Sequence, residues 1–461
     1  MKKILSILCL LALLTTAARA QMTFTLSGIN YSNAAQRDAK GFTTVTLPAG
    51  TSLSGLITAV QVDGVAVDAS QVTPNPTTTA ISYDELKVFT YQNRAYGFLF
   101  TEDVWFCGVF ISDCHTNQNG HDGTSASALT TIMQNILAMG NDGTKKVTFT
   151  AAPNLVPKTS IVFCLGDVDQ DKGDDGSSGK HENFLNATAE LAKTAGIPFI
   201  FIAGNHDLSP DYWSDGSKGV TYGNTGGYNA DQQTISAITT NNSYWSGYFD
   251  EGITYFRPTD GSYNFEPNHF TFKYKDVRFY CANNYWFQKP YDKPGLLSNT
   301  NGTMYAPDGI ISALNTFVDS HTTDASVWMQ HYPWLAGTDC NRWWLDQNES
   351  GQYRTSKNAS IYGSSTGGIS YNNATQANTL KKDPLAAIMM KAAGRTGDKV
   401  QHFSGHYHQF YDATYTSTVV SSNQVHDYTV AAPGNSNQTN NAFVVLFKRG
   451  EGVKEVIQTQ F

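Results

Sequence analysis

Five short stretches of this chain carry side chains able to grip a cation: Asp113-Cys114-His115, Gly166-Asp167, Gly204-Asn205-His206-Asp207, His331-Tyr332 and Gly405-His406-Tyr407-His408. Carboxylate and imidazole in that mixture suit Zn, Fe or Mn rather than an all-oxygen calcium cage or a thiolate site. Any one stretch alone is an ordinary loop, because Asn and Asp after Gly belong to turns. Cys114 is not needed, since strand-like alternation turns it away from the two candidates beside it.

What raises the pattern above accident is the apolar run in front of each stretch. Residues 104–111, 161–165, 199–203, 326–330 and 399–403 all read as buried strands. Parallel strands in an open sheet present their carboxyl ends to one edge, where α/β proteins keep their ligand sites. Residues far apart in sequence would then share one cavity.

The segments between these runs complete an alternating α/β pattern. Residues 127–139 place Leu129, Ile132, Met133, Ile136 and Leu137 on one helical face with Gly140 as a stop, and 182–195 read as a helix closed by Gly196 and Pro198. Further helices are expected over 309–318 and 380–393. Two long stretches interrupt the alternation. Residues 208–300 are dense in Tyr, Trp, Gly and Asn, and 340–378 in Gly, Ser and Asn. Both read as insertions, and the aromatics of the first either pack a core of their own or wall a substrate. The C-terminal runs 428–432, 443–447 and 453–458, the last two joined at Arg449-Gly450, suggest a second sheet stacked on the first. Upstream, residues 21–97 hold short Thr- and Val-rich runs such as 23–26, 43–47 and 56–62, with 87–91 and 96–100 as a hairpin around Asn93. That is all-β grammar without a ligating cluster, an accessory domain ahead of the α/β domain of 98–461.

Lys2 and Lys3, an apolar run from Ile4 to Leu14 and then Ala18-Arg19-Ala20 make residues 1–20 a signal peptide, with cleavage near Ala20 and Gln21 as the mature start. The expectation is an exported protein, periplasmic or secreted. No later run reaches the length of a membrane span. A formal charge of −8 without basic blocks leaves no nucleic-acid footprint. Beyond the leader stand Cys107, Cys114, Cys164, Cys281 and Cys340, an odd set that leaves at least one thiol unpaired. Cys107 and Cys164 sit inside apolar strand runs, as buried small hydrophobes do.

In order along the chain, Asp-x-His, Gly-Asp, Gly-Asn-His-Asp, a lone His and Gly-His-x-His resemble the signature of the calcineurin-like metallophosphoesterase superfamily, over residues 105–410. The resemblance does not reach the N-terminal β-region. It implies a four-layer α/β/β/α sandwich holding two divalent transition-metal ions. Residue by residue, it puts Asp113, His115, Asp167 and His408 on one ion and Asp167, Asn205, His331 and His406 on the other, with Asp167 bridging. His206 matches the family's histidine that protonates the leaving oxygen, a general-acid task suited to an imidazole. Two ions roughly 3.5–4 Å apart can hold a bridging hydroxide and clamp the oxygens of an in-line displacement at phosphorus. With Asp113 and Asp167 as the carboxylates, such a site keeps a formal charge of about +2, which favours an anionic phosphate.

The second motif departs from two subclasses. Serine/threonine phosphatase relatives carry there an Asp that orients the catalytic His, then an Arg, where this chain has Gln170 and Asp171. Purple acid phosphatases have a Tyr ligand at that place and no His in the first motif. With His115 and a leader, the chain is more similar to the secreted phosphodiesterase and acid sphingomyelinase-like branch, while Asp169 or Asp171 remains open as a substitute orienter. The expected function is hydrolysis of a phosphodiester or phosphomonoester, from a small-molecule or lipid substrate. The competing reading is a catalytically silent glycan- or lipid-binding protein on the same scaffold. Such proteins lose a ligand or the acid, and here the motif is complete. Three other residues read as structural: His121 in a surface loop, His402 inside a strand, and Asp207 as the fixer of its own loop.

Overall fold

A computed structural model of the protein describes residues 21–28, 41–48, 50–116, 123–141, 143–168, 181–204, 207, 236–256, 269–282, 308–331, 388, 392, 400–406, 408–416, 424–435, 437 and 439–461. The expected signal segment 1–20 lies outside these residues, as do the 340–378 stretch, Cys340, His121, Gln170, Asp171 and, apart from Ile388 and Ala392, the expected helix 380–393. Two compact units divide the chain, Met1–Asp103 with Met139–Pro157, and Val104–Ala138 with Lys158–Phe461.

In the first unit, β1 (Met22–Leu26), β2 (Thr43–Leu47), β3 (Ile57–Val62), β4 (Val65–Val67), β5 (Leu86–Tyr91) and β6 (Arg94–Glu102) form two three-stranded sheets, ordered β1-β3-β4 and β2-β6-β5. Period-two alternation sets their faces: Met22, Phe24 and Leu26 of β1 are buried while Thr25 between them is exposed. Phe24, Phe89, Phe98 and Phe100 fill the core, with the Phe24 and Phe98 rings 4.2 Å apart between centroids. The β5–β6 hairpin turns at Gln92-Asn93, both left-handed at φ 48° and 61°, as a two-residue loop of primed type requires.

The second unit holds β7 (Trp105–Ile111), β8 (Thr159–Cys164), β9 (Phe199–Phe201), β10 (Glu251–Tyr255), β11 (His269–Tyr274), β12 (Val277–Ala282), β13 (Ala325–Met329), β14 (Val400–Ser404), β15 (Tyr411–Thr416), β16 (Gln424–Thr429), β17 (Ala442–Lys448) and β18 (Gly452–Thr459). Its helices are α1 (Ala126–Leu137), α2 (Glu182–Ala187), α3 (Ala189–Ala195) and α4 (Asp308–Ser320). Among the described residues the strands form a five-stranded sheet, β18-β17-β7-β8-β9, and a seven-stranded sheet, β10-β11-β12-β13-β14-β16-β15. Both are mixed, with β7, β8 and β9 parallel in one and β12, β13, β14 and β16 parallel in the other. Aromatic side chains join the two sheets face to face: Phe110 stacks on Phe403 at 4.2 Å and Phe163 on Phe279 at 5.1 Å. Outside the smaller sheet, α1 opens at Ser125, whose hydroxyl accepts from Ala128 N–H, and buries Leu129, Ile132, Met133 and Ile136. Phe317 of α4 meets Tyr280, which alternation turns away from the sheet–sheet core. The result is the expected α/β class, helix layers outside two facing sheets, with the small β-unit ahead of it. Among the described residues no helix is long and apolar enough to cross a membrane.

Several expectations change. The helix over 182–195 breaks at Thr188 (φ −130°, ψ −76°), whose hydroxyl donates to the Phe184 carbonyl at 2.7 Å. Such a bond to the preceding turn competes with a regular helix. Glu251–Tyr255, His269–Tyr274 and Val277–Ala282, inside the stretch read as an insertion, form β10, β11 and β12 of the larger sheet. The strand expected over 428–432 lies earlier, at Gln424–Thr429. The β17–β18 hairpin joins the smaller sheet beside β7 rather than the second sheet. Every residue of β17 up to Phe447 is buried, which suits an interior strand covered on both faces.

Candidate metal centre

The ligand-bearing stretches continue strands of both sheets, not of one. Asp113 and His115 follow β7 and Asp167 follows β8, whereas His331 follows β13, and His406 and His408 follow β14. Beyond the last residues of β7 and β8 the chains stay laced together: Asp113 N–H donates to Gly166 O at 2.9 Å, His115 N–H to Asp167 O at 3.0 Å, and Thr116 N–H to Val168 O at 3.1 Å. In the other sheet Gly405 N–H donates to His331 O at 2.8 Å. The two sheets are tied by His406 N–H, which donates to both oxygens of Asp113 at 3.0 and 2.9 Å.

The backbone here is held in an uncommon state. Asp113, His115, Asp167, His406 and His408 have φ of 52°, 40°, 50°, 71° and 57°. A left-handed residue other than Gly costs roughly 1–2 kcal/mol, least for short polar side chains. Such conformations persist only where the surroundings impose them, and they gather at functional sites. The surroundings are tight: a β-carbon on Gly204 would meet the carboxylate of Asp167, and one on Gly405 would meet the Ser112 hydroxyl and the Asp113 carboxylate. Buried Asp207 completes the frame, accepting from Val168 N–H at 3.0 Å and Gly204 N–H at 2.7 Å.

Two overlapping groups of side chains result, Asp113, His115, Asp167 and His408, and Asp167, His331 and His406, in each of which the ligand atoms lie within 4.8 Å of one another. His115 Nε2 is 3.0 Å from His408 Nε2, and His408 Nε2 is 3.4 Å from Asp113 Oδ1. Across the shared carboxylate, Asp167 Oδ2 stands 3.1 Å from His331 Nε2 and 3.9 Å from His115 Nε2. A transition-metal cation with bonds of about 2.1 Å spaces neighbouring ligands about 3.0–3.4 Å apart, so the donor set fits one. His331 Nδ1 lies 2.7 Å from the Leu165 carbonyl. A carbonyl only accepts, so Nδ1 carries a proton and Nε2 is the ring atom left to serve as a ligand. Asp113, His115, Asp167 and His331 are fully buried, while His406 and His408 are half-buried.

Electrostatics follow from this crowding. Burial alone would raise the Asp113 carboxyl, but the hydrogen bond and charge of His408, then the charge of His331, hold it below the ordinary value against repulsion from Asp167. For His331, burial works to lower the pKa and is outweighed by Asp167, so the imidazole is held above the ordinary value. His406 loses that competition: burial, then the charge of His331, push it down to about 3. Cys114 takes no part in either group. It is buried and neighbours the Cys164 thiol, whose pKa burial and then Cys114 push well up. Cys107, Cys114, Cys164 and Cys281 are all free thiols. His402 lies apart, its Nδ1 2.6 Å from the buried Asp427 carboxylate.

Of the residues singled out in the sequence, Asp113, His115, Asp167, His331, His406 and His408 come together, and Asn205 and His206 lie outside the described residues. One residue at the site was not foreseen. Asn435 donates from Nδ2 to the His408 carbonyl at 2.8 Å. Pro433-Gly434 marks a turn there, but sequence alone does not say which loop that turn reaches.

A family model, calcineurin-like phosphoesterase, matches residues 109–351. No curated protein sequence matches the chain. Among solved structures, a dimetal phosphatase from Danio rerio is similar at 10% identity and a TM-score of 0.37, covering 77% of this chain and 99% of that one. GAP50, described as the anchor in the inner membrane complex of Plasmodium, is similar at 10% identity and a TM-score of 0.32, covering 78% of this chain and 89% of its own.

Proposed function

The chain belongs to the calcineurin-like phosphoesterase family, and from that premise we propose that it is an exported two-metal phosphoesterase acting on a phosphodiester or phosphomonoester. The observation that carries the reading is the sharing of Asp167 by both groups of converging side chains. Asp113, His115, Asp167 and His408 would hold one ion, and Asp167, Asn205, His331 and His406 the other, each Zn, Fe or Mn by the chemistry of the donors. Held by those residues, two dications would supply a lowered pKa for water and positive charge for phosphoryl oxygens.

The protein's own part is orientation and proton traffic. Leu165 fixes the His331 tautomer, and His406 N–H fixes the Asp113 carboxylate. His206, next in sequence to Asn205, is the proposed acid that protonates the departing alkoxide. The half-buried edge at His406 and His408 is the side from which a small phosphoester would approach. Sequence features of the leader support export.

The test is elemental analysis of protein purified without added metal, followed by hydrolysis of a panel of mono- and diesters. Metal-dependent turnover is expected, with His206→Ala slower by at least about a hundredfold at unchanged metal content. Metal-loaded protein inert across the panel, or a His206→Ala variant as fast as the parent, overturns the proposal.

A further inference from the structure

We propose, building on the two-metal reading, that Asn435 is a positioning residue that sets the place of His408 and so governs one half of the metal centre. The chain after β16 stays beside the end of β14, with Val430 N–H donating to Ser404 O at 2.8 Å, and Val430, Ala431 and Ala432 are buried. It then turns, Asn435 N–H donating to Ala432 O at 3.1 Å. Asn435 is 7% exposed, and its side chain is used at both ends. Its Nδ2 donates to His408 O at 2.8 Å and its Oδ1 accepts from Asn437 N–H at 2.9 Å. Those partners fix the amide one way round, because a carbonyl only accepts and a backbone N–H only donates.

The tie matters because of what it holds. His408 stands at φ 57°, outside any strand, and its ring is 25% exposed. A left-handed histidine at an open edge relaxes unless another segment restrains it. Anchoring its carbonyl fixes the Cα and hence the direction of the ring toward His115 and Asp113. The other half of the centre is anchored elsewhere: His331, two residues past β13, is pinned by Leu165, and His406 by the bond of its own N–H to the Asp113 carboxylate. Loss of Asn435 should therefore act on one ion and spare the other.

The test is calorimetric titration of metal-free protein with Mn²⁺. Asn435→Asp keeps the size and the acceptor for Asn437 while replacing the donor by an oxygen facing a carbonyl; Asn435→Ala removes the tie without adding charge. Both variants should weaken one of two sites by about tenfold or more and leave the other within about a factor of two. The melting temperature of the metal-free protein should stay within about 2 °C of the parent. Asn437→Ala, which keeps its backbone donor, should leave both sites unchanged. Two unaltered sites in both Asn435 variants overturn the inference, as does equal weakening of both sites with a lower melting temperature, the mark of a merely structural residue. A parent protein that binds no Mn²⁺, Zn²⁺ or Fe²⁺ instead overturns the two-metal reading and this inference with it.

Discussion

Two sets of left-handed residues in this molecule do opposite things. In the first unit Asp63, Gln92 and Asn93 are exposed and sit in tight turns between paired strands. There the turn needs the backbone conformation, and the side chains stay in solvent. In the second unit Asp113, His115 and Asp167 adopt the same conformation while fully buried, each carrying an ionisable group toward the others. A backbone state that costs energy is tolerated in the first place because it reverses the chain, and in the second because it aims a carboxylate or imidazole that a regular strand would turn elsewhere. Conformation alone does not mark a site. Conformation together with burial, charge and convergence of the ligating atoms does, since His181, buried and left-handed at φ 50°, lies in neither group.

The sharpest way to break this contrast is at Asp167, the carboxylate common to both groups. Asp167→Asn keeps the shape and hydrogen-bonding size but removes the charge. Purified Asp167→Asn should lose most of its metal and its rate on a chromogenic phosphate ester should fall on the order of a thousandfold. Unfolding of the metal-free form should move little, because relief of the repulsion on Asp113 offsets loss of the attraction to His331. A variant that keeps two metals and near-parental rate would show that Asp167 is merely a buried structural acid.

Much of this contrast was legible in the residues themselves. The apolar runs before Asp113, Asp167 and His331 gave strands close to β7, β8 and β13, since a buried strand is local hydrophobicity bounded by small residues. The hairpin at Gln92-Asn93 was readable for the same reason. What local pattern could not supply was partnership. Nothing in Phe443–Phe447 says that β17 pairs with Phe106–Phe110 rather than with the larger sheet, because such pairing is decided by what else covers the strand. The run His269–Tyr274 lay hidden in an aromatic-rich stretch whose composition reads as loop. Asn435 was invisible for a related reason, its role depending on a contact 27 positions away in sequence with an ordinary backbone carbonyl.

A second, smaller test compares two buried histidines. His331 has carboxylate neighbours and is held above the ordinary value, whereas burial pushes His269 of β11 down to about 3. An unfolded His269 takes up a proton near pH 6.5, and the folded one does so only near 3. Between those values the unfolded state binds more protons, so its contribution to stability is complete above 6.5 and is lost as pH falls toward 3. The limiting slope is about 1.4 kcal/mol per pH unit. Urea unfolding of the metal-free protein at pH 7, 6, 5 and 4 should therefore fall more steeply for the parent than for His269→Gln, by about 1 kcal/mol per unit. Parallel curves would mean that His269 keeps its proton acceptor accessible in the fold.

The smallest effect is expected where the contrast is plainest. At Asn93 the left-handed conformation serves only the turn, so Asn93→Gly puts the residue best suited to positive φ at the second position of the hairpin loop. Relief of the side-chain penalty is partly offset by the extra freedom glycine has when unfolded, leaving a gain of about 0.5 kcal/mol. Thermal unfolding should show that gain, and Mn²⁺ titration should show no change, because an exposed turn side chain carries no ligand. If Asn93→Gly instead lowers metal affinity, turn residues of the first unit are not interchangeable, and burial with charge no longer separates the two classes of left-handed residue.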